Sequence, residues 1–153
     1  MEGSKVNVGP LVLAQMPKVL PLIAGYQRFY GAEPDPERNR KFFRRFLDPS
    51  PDGLLLGGWV DGELVGFACI YWTFSSVNAR EIALMSDLFV AEGSRGAGIG
   101  LALIQACVEA ARARGVRHLE WITAIDNRTA QRLYERIPEA DRSAWFGYEV
   151  PLG

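Results

Sequence analysis

The chain has 153 residues, of which 48% are hydrophobic and 23% charged, so its length predicts a single domain over residues 1–153. Its 17 basic and 18 acidic side chains give a formal net charge of −1, so electrostatics give no reason to expect nucleic acid or an anionic membrane as a partner. One histidine, His118, and two distant cysteines, Cys69 and Cys107, argue against a metal site and favour reduced thiols.

The N-terminal third is predicted to contain a short strand and two helices. Residues 6–8 form the strand, which Gly9 and Pro10 end. Residues 11–30 carry apolar side chains at near-helical spacing, and a helix beginning near Pro17 or Pro21 fits best because proline is tolerated in a first turn. Residues 36–47 are predicted to form an amphipathic helix whose basic side chains face solvent.

The middle of the chain predicts three antiparallel strands. Two apolar runs, 54–60 and 63–74, flank Asp61 and Gly62, a pair that favours a type I′ hairpin turn. A third strand over 81–90 completes the meander. Glu81 and Asp87 have the same parity in that strand, so they are expected on one face of the sheet.

The C-terminal half predicts a helix over 99–114 that ends at Gly115, then a strand over 116–123 parallel to 81–90. A second helix follows, with Asp126 or Asn127 as its N-cap, and a last strand is predicted over 145–150. The predicted fold is α/β (α+β): a mixed, mostly antiparallel twisted sheet flanked by helices, with a central parallel strand pair.

Residues 95–100, Arg-Gly-Ala-Gly-Ile-Gly, join the third strand to the helix that follows. Glycines permit close backbone approach to a ligand, and the N–H groups of a helix's first turn suit a phosphate, so the loop predicts a pyrophosphate site. A P-loop is excluded because Leu101 follows Gly100 in place of lysine, and the Rossmann pattern lacks its third glycine. A plain tight turn between strand and helix stays open as an alternative.

The same residues resemble the acyl-CoA signature Arg/Gln-x-x-Gly-x-Gly/Ala of the GNAT superfamily of N-acetyltransferases. The preceding Asp87-Leu88-Phe89-Val90 looks like that family's fourth strand, and residues 127–135 look like its second motif, an Asn-x-x-Ala helix that carries Leu-Tyr. The order of the predicted elements matches nearly the whole chain. Asp87–Val90 together with Glu120 and Trp121 look most like the diamine and polyamine acetyltransferase branch.

The resemblance implies a site for acetyl-CoA as co-substrate, with no metal. The backbone of residues 95–100 would hold the pyrophosphate, and the backbone of residues 88–90 would pair with pantetheine and polarise the thioester carbonyl. Asn127 is implied either as a cofactor contact or as a plain N-cap. The predicted cofactor-binding residues are Leu88, Phe89, Val90, Arg95, Gly96, Ala97, Gly98, Ile99, Gly100, Asn127 and Ala130.

The resemblance also implies direct attack of an amine on the acetyl group. Tyr134 takes the position of the general acid that protonates the departing thiolate, and packing of its ring is the structural alternative. An alkyl ammonium must lose a proton before it attacks, and Asp87 is our first candidate to bind or deprotonate it. A solvated strand-end charge is the alternative for Asp87.

The remaining candidates would bind the acceptor. Tyr26, Tyr30 and Glu33 lie where the family's acceptor-binding helices and loop fall, and Glu120 is a second carboxylate. An acidic, aromatic wall suits a cationic amine, although both tyrosines could equally face the core.

These residues predict an acetyl-CoA-dependent N-acetyltransferase acting on a small, cationic primary amine. A protein N-terminus or lysine as acceptor, or a non-catalytic acyl-CoA sensor, are the alternatives. The sequence lacks the basic and apolar pattern of a signal peptide and a run long enough to span a membrane, so a cytoplasmic protein is expected. The family resemblance further suggests a homodimer.

Overall fold

The computed structural model describes residues 3–153, which fall into two compact units that part after Ile122. The first unit contains a five-stranded sheet and three helices, and the second contains one short helix. The strands are β1 (Val6–Pro10), β2 (Gly53–Val60), β3 (Glu63–Ser75), β4 (Arg80–Val90) and β5 (Leu119–Glu120), and the helices are α1 (Met16–Phe29), α2 (Pro36–Phe43), α3 (Ile99–Arg114) and α4 (Arg128–Tyr134).

The sheet has the strand order β1-β2-β3-β4-β5, with antiparallel pairs except for the parallel pair of β4 and β5. The predicted hairpin between β2 and β3 is confirmed, and Asp61 and Gly62 have φ angles of 50° and 85°. Two consecutive left-handed residues define a type I′ turn, whose twist matches that of the flanking strands. This mostly antiparallel sheet flanked by helices confirms the predicted fold class.

Each helix begins where its sequence signal predicts. Pro17 lies in the first turn of α1, Pro36 begins α2, and the side chain of Asp35 caps α2 by accepting from the backbone N–H of Arg38 at 3.1 Å. Helix α3 ends at Gly115, which has a φ of 87°. The basic residues of α2 and the turn after it are exposed, as predicted for a solvated face: Arg38, Arg40, Lys41, Arg44 and Arg45.

Strand β4 contains a bulge that sends its two acidic side chains to opposite faces. On β3 the neighbours Cys69 and Ile70 pair with Asp87 and Met85, so Ser86 is an extra residue without a ladder partner. Asp87 therefore lies with Cys69 on the face that α1 covers, whereas Glu81 bonds to Arg114 of α3 at 2.7 Å. The prediction that Glu81 and Asp87 share a face is wrong, because the bulge reverses the alternation between them.

Two predicted strands differ in the structure. The predicted strand over 116–123 is reduced to Leu119 and Glu120, which pair with Ala83 and Leu84. The predicted strand over 145–150 is irregular chain instead, and Trp145 is 88% exposed. No strand of the described residues pairs with this segment. As a result, the parallel pair lies at one edge of the described sheet and not at its centre.

Among residues 3–153, no helix is long and apolar enough to cross a membrane. The same part of the chain contains no group of three or more histidine, cysteine, aspartate or glutamate side chains placed to hold a metal ion.

Phe67 on β3 anchors the core between the sheet and the first two helices. Its side chain is fully buried, and its ring meets those of Tyr26, Phe43 and Phe89 at centroid distances of 5.9, 6.4 and 6.2 Å. We expect Phe67→Ala to lower the free energy of unfolding by about 3–5 kcal/mol, because it removes buried contacts and leaves a cavity. Urea unfolding measures this loss.

The control for that substitution lies on the same strand. Phe74 is 77% exposed, so Phe74→Ala should change the free energy of unfolding by less than about 0.5 kcal/mol. Equal losses in the two variants would contradict the central position of Phe67.

Candidate active site

The glycine-rich loop leads into the N-terminus of α3 in a form suited to an anion. Gly96 and Gly98 have φ angles of 91° and 84°, which L side chains rarely adopt. Gly98 is the N-cap of α3, and no side chain caps this helix, in contrast to Asp35 at α2 and Asn127 at α4. The N–H groups of the first turn and the positive end of the helix dipole therefore point toward an exposed loop.

The part of β4 that precedes this loop has an edge beyond its pairing with β5. The β4–β5 ladder contains only the pairs at Ala83 and Leu84, whereas β4 continues to Val90. The N–H of Ala91 donates to β3 at 2.8 Å, so the N–H groups of Val90 and Leu88 point to the opposite edge, because successive residues of a strand alternate. Arg95 lies at this edge, where its Nε donates to the carbonyl of Val90 at 3.3 Å.

Asp87 is a buried carboxylate next to that segment. Its side chain is only 6% exposed, its Oδ1 accepts from the Ser86 hydroxyl at 3.2 Å, and its Oδ2 has no hydrogen-bond partner within residues 3–153. Burial raises the pKa of Asp87, and hydrogen bonds from Tyr26 and Ser86 oppose that rise. A carboxyl group with a raised pKa and an unpaired oxygen is suited to binding a cation or accepting a proton. The alternative of a solvated strand-end charge does not hold.

Tyr26 joins Asp87 to an aromatic wall. Its hydroxyl donates to the carbonyl of Ser86 at 3.3 Å, and its ring meets the ring of Tyr30 edge to face at 5.1 Å. Burial, followed by the negative charge of Asp87 and a hydrogen bond with it, raises the pKa of Tyr26. Tyr26 thus packs against the core with its hydroxyl turned toward β4, whereas Tyr30 is 59% exposed.

The other two predicted acceptor residues lie apart from this group. Glu33 is exposed in the loop after α1, where its backbone carbonyl accepts from the Arg38 guanidinium at 3.1 Å. Glu120 is exposed on β5 and pairs with Leu84. The structure therefore brings together Tyr26, Tyr30 and Asp87 from the predicted acceptor set.

The second unit contains the remaining predicted residues. Asn127 is the N-cap of α4, and its side-chain oxygen accepts from the N–H of Ala130 at 3.2 Å. The N-cap role of Asn127 is thereby confirmed, and this role uses the oxygen of its side-chain amide. Tyr134 is the last residue of α4 and is half-buried.

Three residues around Asp87 and Phe89 were not predicted as part of the site. Ser86 bonds to Asp87, and Tyr71 on β3 faces the same pair, with burial as the main cause that raises its pKa to about 12. Gly25 on α1 faces the Phe89 ring, and a Cβ there would lie 3.1 Å from it. The serine at a strand position and the glycine inside a helix were signals in the sequence, but neither points to a partner without the fold.

Sequence comparison relates the chain to acetyltransferases. The profile of the acetyltransferase (GNAT) family matches residues 20–137, a range that contains Asp87, the glycine-rich loop and Tyr134. The chain is 30% identical over 131 residues to the uncharacterized N-acetyltransferase YhfO of Bacillus subtilis, with 86% of this chain and 87% of YhfO aligned.

Solved structures agree with this relation. The crystal structure of a probable acetyltransferase matches with a TM-score of 0.82 at 27% identity, covering 96% of this chain and 98% of the other. The aminoglycoside N-acetyltransferase AAC(6')-Iy in complex with CoA matches with a TM-score of 0.80, covering 99% of this chain and 98% of the other. At 16% identity, the second likeness concerns the fold alone.

Proposed function

The chain belongs to the acetyltransferase (GNAT) family, and we propose that it transfers the acetyl group of acetyl-CoA to the primary amine of a small, cationic acceptor. The observation that carries the proposal is the placement of three features along one stretch of chain. A buried carboxylate, Asp87, precedes a strand segment with outward N–H groups, and that segment leads into a helix N-terminus suited to an anion.

The donor would bind along residues 88–100. The N–H groups of the loop and the first turn of α3 would hold the pyrophosphate: Arg95, Gly96, Ala97, Gly98, Ile99 and Gly100. The outward N–H groups of Leu88 and Val90 would bond to pantetheine and the thioester carbonyl, while Phe89 faces the aromatic wall. Asn127 and Ala130 of α4 would add contacts to the cofactor. AAC(6')-Iy has a similar fold and was solved in complex with CoA, which supports acetyl-CoA as the donor.

The reaction would be a direct acetyl transfer. The amine nitrogen attacks the carbonyl carbon of the thioester, the carbon–sulfur bond breaks, and the sulfur leaves as a thiolate. Asp87 would take a proton from the acceptor ammonium, and Tyr134 would give its phenolic proton to the thiolate. An N–H of residues 88–90 would stabilise the negative charge that develops on the carbonyl oxygen.

Charge and aromatic surface would select the acceptor. Asp87 supplies a negative charge in an apolar setting, and the rings of Tyr26 and Tyr30 supply faces that attract an ammonium group. Glu33 and Glu120 would add negative charge at a distance. AAC(6')-Iy is an aminoglycoside N-acetyltransferase, and an aminoglycoside is a small polyamine. The similar fold therefore supports a small cationic acceptor. The polyamine-like branch remains a proposal.

Two further predictions concern the state of the protein. A homodimer would cover apolar side chains such as Phe146, which is 91% exposed in the single chain. Sedimentation velocity tests that state directly. The cytoplasmic location also stays a prediction.

The test of this function measures thiol release from acetyl-CoA with a panel of amines. The panel contains linear polyamines, aminoglycosides, amino acids and a lysine peptide, and calorimetry measures acetyl-CoA binding separately. We expect turnover with a small cationic amine. Turnover with only the peptide would favour a protein acceptor, and binding without any turnover would favour an acyl-CoA sensor.

Gly98 provides a specific test of the donor site. An alanine at its left-handed φ costs about 1–2 kcal/mol, so the loop would relax and turn its N–H groups away from the pyrophosphate. We expect Gly98→Ala to raise the dissociation constant of acetyl-CoA about tenfold in calorimetry. Gly93→Ala is the control, since Gly93 lies in the same loop without a left-handed φ or a close neighbour. Equal dissociation constants of acetyl-CoA for the two variants would exclude this loop as the pyrophosphate site.

A further inference from the structure

The bulge in β4 leaves Ser86 without a ladder partner, and the main-chain carbonyl of Ser86 accepts a hydrogen bond from another element. Ser86 is the extra residue, since Asp87 pairs with Cys69 and Met85 pairs with Ile70. Ladder hydrogen bonds are interrupted at such a residue, and a half-buried carbonyl needs another donor. That donor comes from α1, where the hydroxyl of Tyr26 lies 3.3 Å from the Ser86 oxygen.

Aromatic packing fixes the position of this hydroxyl. The Tyr26 ring meets Tyr30, Phe67 and Phe89 edge to face, at centroid distances of 5.1, 5.9 and 6.3 Å. The absence of a side chain at Gly25 lets α1 approach the Phe89 ring. Phe67 is fully buried, so the phenol ring packs against the core.

The same hydroxyl also faces Asp87. A phenol carries one hydrogen, which is directed at the Ser86 carbonyl and can turn to the carboxylate of Asp87, whose Oδ2 lacks a hydrogen-bond partner within residues 3–153. Titratable side chains that face Asp87 are Tyr26 from α1 and Tyr71 and Cys69 from β3, with Cys107 of α3 behind Cys69. All of these are uncharged at neutral pH, so the hydrogen bonds of Tyr26 and Ser86 are the interactions that favour the ionised carboxylate.

We infer that Tyr26 is a positioning residue: its hydroxyl holds the bulged carbonyl of Ser86 and the carboxyl group of Asp87 in one arrangement relative to residues 88–90. This role differs from direct contact with the acceptor and rests on the proposed function of Asp87. The position of the Asp87 carboxylate would then depend on a hydrogen bond from Tyr26 of α1, a helix that lies outside the donor site. Small changes in the position of reacting groups can lower the rate by large factors, because these groups must be held close to the attack position.

Tyr26→Phe tests the inference, because it keeps the ring and removes only the hydroxyl. We expect kcat to fall about tenfold while KM for the amine changes less than about twofold. Loss of the hydrogen bond that favours the carboxylate should also raise the pKa of Asp87. The acid limb of the pH–rate profile would then move up by about one pH unit. Tyr148→Phe, at an exposed position, is the matched control.

A second measurement does not depend on catalysis. Carbon-13 NMR follows the titration of the Asp87 carboxyl carbon in the wild type and in Tyr26→Phe, and thermal melting confirms that both are folded. A shift of the titration to higher pH in the variant supports the inference, even if no amine in the panel is a substrate. An unchanged titration, or a raised amine KM with unchanged kcat, would overturn it and make Tyr26 an ordinary acceptor contact.

Discussion

Asp87→Asn is expected to reduce acetyl transfer strongly and, at neutral pH, to stabilise the folded chain. The amide keeps the size of the side chain but can neither take a proton from the acceptor nor attract its charge. We expect kcat/KM for the amine to fall about 100-fold or more, with the dissociation constant of acetyl-CoA unchanged. Steady-state kinetics and calorimetry measure the two quantities.

The effect on stability follows from the direction of the pKa shift. Burial raises the pKa of Asp87 above its value in the unfolded chain, so the folded state binds the proton more tightly. The wild type therefore loses stability as pH rises through the pKa of the folded state, and asparagine avoids this loss. Urea unfolding should show Asp87→Asn as the more stable protein at pH 7, with the difference disappearing in acid.

Glu120→Gln is the matched variant for this experiment, since it neutralises the other predicted carboxylate at an exposed site. It should leave both the free energy of unfolding and most of the activity intact. A large loss of activity in Glu120→Gln, together with an active Asp87→Asn, would transfer the base role to Glu120.

Tyr134→Phe is expected to lower kcat about 100-fold, because the thiolate would then leave without a proton donor. The substitution keeps the ring of this half-buried residue, so acetyl-CoA binding and the thermal melting temperature should stay near their wild-type values. Thiol release is measured over the pH range with the best amine of the panel. Tyr148→Phe, which changes a 94% exposed tyrosine, is the control. An unchanged rate in Tyr134→Phe at every pH would exclude the general-acid role.

The parts of the fold that were predicted correctly have strong local signals. Asp61 and Gly62 specify a turn by their own conformations, and Gly115 ends α3 in the same way. The glycine-rich loop belongs to the same class, because left-handed φ angles at Gly96 and Gly98 are a property of those residues. Local sequence was therefore sufficient to predict the conformation of the loop that we propose as the donor site.

The group around Asp87, which we propose as the acceptor side, depends on long-range contacts that the sequence indicated only in part. Tyr26 and Asp87 were both selected, but their connection through Ser86 joins positions 60 residues apart and required α1 to dock on the sheet. The bulge at Ser86 has no glycine or proline to mark it, so counting parity placed Glu81 on the wrong face. Glu33 lies in an exposed loop, and its contact with the acceptor stays a prediction.

The C-terminal segment was overpredicted for a related reason. Trp145, Phe146, Tyr148 and Val150 have the composition of a strand, but no strand of the described residues pairs with them. Composition indicates that a segment can form a strand, but the strand forms only when another strand pairs with it.

The bulge also has a consequence for insertions and deletions in the gene. Loss of the Ser86 codon would pair Met85 and Asp87 with consecutive residues of β3, and every other side chain of β4 would keep its present face. The sheet thus does not need this residue to keep its register. Such a deletion would be mild for folding, but it would remove the carbonyl that Tyr26 binds and the hydroxyl that contacts Asp87.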